Sequence, residues 1–153
     1  MGRILIINGP NINMLGTREK DVYGGVSYAE LGKKLKAEAK KLKLNLEIYQ
    51  SNHEGELVDK IQSSAKKTAL IIINPGAYTH TSIAIRDALA AVTIPFIEVH
   101  ISNVFAREKF RRHSYMSDLA AGVLAGFGVE GYSLALKAAG TVIASSKKTK
   151  LKR

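Results

Sequence analysis

Residues 3 to 8 read RILIIN, an unbroken apolar run closed by Gly9-Pro10. A run without polar alternation suits a β-strand covered on both faces, and a Gly-Pro pair ends it. The signature returns as ALIIIN at 69 to 74 and, with polar insertions, as PFIEVH at 95 to 100. Between the runs the apolar spacing changes from strand to helix.

Ser27 followed by Glu30 forms a capping box, and Leu31, Leu35, Ala39 and Leu42 recur on one face while lysines fill the other, predicting a helix to about Lys43. Leu44, Leu46 and Ile48 alternate with polar residues as a more exposed second strand. Leu57, Val58, Ile61 and Ala65 mark a second helix, and Ile85, Ala88, Leu89 and Val92 a third. The Gly-punctuated AAGVLAGFG is a weaker fifth strand, and a helical pattern runs from Val129 to about Ala139. Regular β-then-α alternation predicts an α/β fold, a flavodoxin-like, doubly wound, five-stranded parallel sheet in three α/β/α layers. No linker or internal repeat divides it, so residues 1–144 are expected to be one domain.

The formal charge of +10 suggests an acidic partner, yet five of the 23 basic residues crowd the last seven positions and carry half of the excess. Residues 145–153 lack apolar periodicity and read as a basic, disordered, solvated tail rather than a nucleic-acid arm. No apolar run reaches the roughly 18 residues of a membrane span, and MGRILIINGP lacks signal-peptide order. A cytoplasmic protein that binds neither membrane nor nucleic acid is expected. With no cysteine there is no thiolate chemistry.

In open α/β sheets ligands sit beyond the carboxyl ends of the strands, near the point where strand order reverses. The segments there, 9 to 25, 75 to 80 and 100 to 105, together with the strand ends, carry Asn11, Asn13, Arg18, Tyr23, Asn74, His80, Glu98, His100 and Ser102. Glu98 and His100 share one face of an apolar strand, where helices would normally cover them. Buried polar groups need partners, so His100 is expected to be functional and Glu98 to support it. Residues 9 to 25 are long for a βα turn and read as a lid bracketed by Gly16 and Gly24-Gly25. Within it, the Arg18 guanidinium could stabilise a Tyr23 phenolate and make that tyrosine a base. Arg107 and Arg111 would share a face if 105 to 113 formed a helical turn, and could grip a carboxylate.

GxGxxG, P-loop, HExxH and GxSxG patterns are absent. His80 and His100 with Glu98 leave a metal conceivable, but none is expected. Fold class alone admits a nucleotide or flavin binder, and charge alone a nucleic-acid binder.

These segments, IINGPNINMLG, LGTREKDVYGG, INPGAYTHTS and EVHISNVFAREKFRRHS, together resemble the type II 3-dehydroquinate dehydratases in order and spacing, from about Arg3 to GYSLAL at 131 to 136. The resemblance implies a cofactor-free dehydration of 3-dehydroquinate to 3-dehydroshikimate. Tyr23 would be the proton acceptor, His100 the proton donor, and Arg18 the cation that stabilises the transition state. It further implies that Asn11 helps hold a water or the enolate, that Glu98 orients His100, and that Asn74, His80, Ile101, Ser102 and Arg111 bind substrate. Asp87 would reach a neighbouring subunit's site within a homododecamer. The alternative route through a lysine imine has Lys20 as its one tempting candidate.

Overall fold

The computed structural model describes residues 2–17, 21 and 25–151, with side chains as far as Lys148. Five strands, β1 (Arg3–Asn8), β2 (Leu46–Gln50), β3 (Thr68–Asn74), β4 (Phe96–His100) and β5 (Gly122–Ala125), form one parallel sheet in the order β2-β1-β3-β4-β5. The expected α/β doubly wound sheet is the observed one. Among the described residues four helices cover it, α1 (Tyr28–Lys41), α2 (Glu54–Ser63), α3 (Ile83–Val92) and α4 (Glu130–Leu151).

Side-chain alternation splits the apolar strands between two cores. Ile4, Ile6, Leu70, Ile72, Ile97 and Val99 face Leu31 and Leu35 of α1 and Tyr132, Ala135 and Leu136 of α4. Leu5, Ile7, Ile71, Ile73 and Phe96 face Leu57 and Ile61 of α2 and Ile85 and Leu89 of α3. Each such side chain contributes about 1.5–3 kcal/mol of transfer free energy, which is why β1 and β3 carry almost nothing but branched aliphatics. Glu98 and His100 follow Phe96 in alternation, on the α2/α3 side.

The capping box opens α1: Ser27 Oγ accepts from the Glu30 amide at 3.1 Å, and Glu30 Oε2 accepts from the Ser27 amide at 2.8 Å. Three expected boundaries move. Leu42 is the C-cap of α1 and 43% exposed, because Lys43 turns left-handed (φ 56°) and ends the helical face one residue early. The second strand starts at Leu46, and α2 closes before Ala65, which is exposed.

The largest difference is at the carboxyl end, where α4 continues to Leu151 in place of the disordered end expected from 145. Residues 141–151 contain neither Gly nor Pro, Ile143 still packs into the core, and lysines in the last turns suit the negative end of the helix dipole. No helix among the described residues is long and apolar enough to cross a membrane.

Candidate active site

The chain leaves β1 to one side of the sheet and β3 to the other, so the segments after these strands part and open a cleft at their carboxyl ends. Two tight approaches shape its floor. A Cβ on Gly9 would lie 2.2 Å from the Pro75 carbonyl oxygen, so only glycine fits there. Gly76, at φ 59°, lies correspondingly against Pro10. The cleft is open to solvent and encloses about 130 Å³. Asn11 and Leu15 line it after β1, Asn74 and His80 after β3, and His100, Ile101, Ser102, Arg107 and Arg111 after β4.

Glu98 is fully buried and fully partnered. His100 Nε2 lies 2.9 Å from its Oε1, which also accepts from Ser114 Oγ at 2.7 Å and from Thr79 Oγ1, while Oε2 accepts from Ser117 Oγ. Burial would raise the carboxyl pKa, but the hydrogen bonds from His100, Ser117 and Thr79 outweigh it and hold it down to about 2. The carboxylate therefore stays ionised and can only accept.

His80 lines the same cleft as His100. Its Nδ1 lies 2.7 Å from the His113 carbonyl oxygen, which fixes the proton on Nδ1 and leaves Nε2 an acceptor. Burial lowers the His80 pKa, the bond to the His113 carbonyl opposes this, and the positive charges of His100 and Arg111 push it down further. The expected helical turn carrying Arg107 and Arg111 is instead two separate 3-10 turns, Val104–Ala106 and Lys109–Arg111, broken by the extended Arg107. Both guanidinia still line the cleft: Arg107 Nη1 donates to Ser102 Oγ at 3.3 Å, and Arg111 Nε to Glu108 Oε2 at 2.8 Å. They share Glu108, which Arg107 Nε approaches to 3.9 Å.

Asn11 stands in the left-handed region (φ 67°), a conformation asparagine tolerates better than most residues, and its amide donates to Asn52 Oδ1 at 3.0 Å. Ile12 and Leu15, just behind it, are buried in the core and anchor the start of the segment. Asn74 Oδ1 accepts from the Gly76 amide at 3.1 Å, and its Nδ2 donates to Tyr132 Oη at 2.9 Å. Tyr132, fully buried, donates its own hydrogen bond to Asn8 Oδ1 at 2.6 Å.

The structure thus brings Asn11, Asn74, His80, His100, Ile101, Ser102 and Arg111 to one cleft, with Glu98 directly behind His100. Asp87 does not join them: it is exposed on α3 and does not line the cleft. Arg18, Lys20 and Tyr23, like residues 19, 22 and 24 of the expected lid, lie outside the described residues. Among the described residues no three His, Asp or Glu side chains gather as a metal-ligand set. Sequence reasoning missed Thr79, Ser114, Ser117 and Tyr132. The only signal for the first three was the unanswered demand of a buried Glu98 for donors.

A family model described as Dehydroquinase class II matches residues 2–140. A 3-dehydroquinate dehydratase from Prochlorococcus marinus (strain MIT 9301) is 56% identical over 90% of this chain and 93% of its own length. A catabolic 3-dehydroquinase from Aspergillus oryzae is 58% identical over 90% of each chain. Among solved structures, the type II dehydroquinase from Butyrivibrio crossotus superposes with a TM-score of 0.89 at 49% identity, over 91% of this chain and 97% of that one.

Proposed function

The chain belongs to the class II dehydroquinase family, and from that premise we propose that it removes water from 3-dehydroquinate to give 3-dehydroshikimate, as a lyase of the shikimate pathway working without a cofactor. Tyr23, as phenolate, takes the C2 proton alpha to the ring ketone, and the C–H electron pair moves into an enolate. The enolate collapses to the conjugated enone as the C–O bond of the beta-hydroxyl breaks. Protonated His100 supplies the proton that turns the departing hydroxyl into water. The Tyr23 proton then returns through solvent while His100 is reprotonated, so one substrate yields one enone and one water.

The observation that carries this reading is the Glu98-backed His100 sharing a cleft with His80 and two arginines. Each feature meets one demand of the substrate. A positioned imidazole answers the leaving hydroxyl, and the bare Nε2 of His80 can accept from another ring hydroxyl. Arg111, with Arg107 beside it, offers forked donors to the carboxylate. Asn11 and Asn74 bring amide groups to the floor, where an enolate oxygen or a water needs donors. Arg18 is assigned the cation that makes a Tyr23 phenolate accessible near neutral pH. Lowering an ordinary tyrosine by two to three units takes about 3–4 kcal/mol of differential interaction, within reach of one partly desolvated guanidinium plus hydrogen bonds.

The proposal extends to assembly as a homododecamer in which Asp87 approaches a neighbour's cleft. Its support is the exposure of Asp87 and of Phe105 and Val123, which line a second cleft beside the first. Light scattering should give about 200 kDa, twelve copies of 16.6 kDa.

The primary test is an ultraviolet assay for the conjugated enone with 3-dehydroquinate, run with and without a chelator. Turnover indifferent to the chelator is the expected result, and a folded sample without turnover overturns the reading.

A further inference from the structure

Three hydroxyls surround Glu98, and the proposed chemistry gives them no task. Thr79 Oγ1 reaches Oε1 from the turn after β3, and Ser117 Oγ reaches Oε2 from the segment before β5. Ser114 Oγ donates to Oε1 while accepting from the amides of Met116 and Ser117 at 3.0 and 3.2 Å. Thr79 is 1% exposed and lies 2.9 Å from Ser114, so the two hydroxyls sit side by side against the same carboxylate oxygen. A carboxylate held from three directions cannot rotate to follow the imidazole, so the imidazole must follow it. Because Glu98 only accepts, the His100 nitrogen facing it carries a hydrogen in both charge states of the ring.

We propose that Thr79, Ser114 and Ser117 are positioning residues whose hydroxyls fix Glu98 as the acceptor for His100 Nε2–H, so that the proton given to the leaving hydroxyl is the one on Nδ1. This rests on the dehydration reading for the identity of the proton acceptor, but the tautomer of His100 can be read without substrate. In neutral His100 the hydrogen stays on Nε2 and Nδ1 is bare. Proton delivery then moves only the Nδ1 hydrogen, with the ring already oriented when substrate arrives.

Thr79→Val, nearly isosteric, and Ser117→Ala each remove one donor, while Thr79→Ser keeps it. Nitrogen-15 NMR of histidine-labelled protein, with the His100 signals assigned by their loss in His100→Gln, reports the tautomer directly. Neutral wild type should show His100 protonated on Nε2 alone. Thr79→Val and Ser117→Ala should show a mixture of tautomers and a kcat lower by about 10-fold or more, with KM within about threefold, and Thr79→Ser should restore both. A wild-type His100 protonated on Nδ1, or a tautomer unchanged in Thr79→Val and Ser117→Ala, overturns the proposal. Absence of turnover in the wild type would overturn the dehydration reading instead, and the tautomer spectra would still decide the positioning role.

Discussion

His100 Nε2 stands 2.9 Å from Glu98 Oε1, two residues back on the same strand and the same face of the sheet. Because the buried carboxylate is held at about 2 against an ordinary 4.5, the unfolded chain takes up its proton first as pH falls. The stability Glu98 contributes is complete above about pH 5 and is lost as pH drops from there through 2. Its size is on the order of 3 kcal/mol. Urea midpoints measured from pH 7 to pH 2.5 should therefore show Glu98→Gln well below wild type at neutral pH and the gap closing in acid. A gap independent of pH would place the cost of the substitution in packing rather than in charge.

His80 gives a prediction of the opposite flavour, in binding rather than stability. Burial, chiefly, favours its neutral form, and the bond to the His113 carbonyl fixes which nitrogen faces the cleft. KM for 3-dehydroquinate should stay flat as pH falls through the usual imidazole range and rise only below it. His80→Ala should raise KM about tenfold, the loss of one hydrogen bond worth roughly 1–1.5 kcal/mol, with a smaller effect on kcat. A KM that falls as pH drops through the imidazole ionisation would show instead that the charged ring binds substrate.

The order of elements was legible because β1 and β3 are buried on both faces and so carry runs that no other element explains. Glu98 and His100 were legible for the same reason: carboxylate and imidazole in an apolar strand violate its pattern, and the violation marks the site. What pairs with them was not legible. Thr79 is 19 residues and Ser117 likewise 19 residues from Glu98, on separate segments, and a hydroxyl in a turn looks the same in sequence whether it faces water or a carboxylate. Arg107 and Arg111 illustrate a milder failure. Their spacing suggested a helical face, whereas an extended Arg107 between two short turns brings both to the cleft by a different route. The helix beyond Thr141 was missed because periodicity reports packing, and that stretch is helical largely without it.

Tyr132 links the floor of the cleft to the core, donating to Asn8 at 2.6 Å and accepting from Asn74 at 2.9 Å, with no exposure to water. Tyr132→Phe keeps the ring and its packing but leaves both amides short of a partner where water cannot replace it. A cost of about 1–3 kcal/mol is expected. For a chain of this length that corresponds to a fall in Tm of roughly 2–12 °C. Because Asn74 also lines the cleft, KM should rise with it. An unchanged Tm would mean that the two asparagines find other partners.

Tyr23→Phe separates the proposed base from every structural role. The substitution removes a single oxygen and no hydrophobic volume, so circular dichroism and Tm should match wild type. Turnover should fall by about 10²-fold or more, the usual contribution of a positioned general base. Arg18→Gln should lower kcat as well, and should move the basic ionisation in its pH profile upward, towards the ordinary tyrosine range, because the cation favouring phenolate is gone. Near-normal kcat in Tyr23→Phe would exclude Tyr23 as the base. The imine route would then be the alternative, and borohydride reduction in the presence of substrate decides it: a covalent adduct on Lys20 in the intact-mass spectrum would replace the enolate scheme, whereas an unmodified chain would direct the search to another base in the cleft.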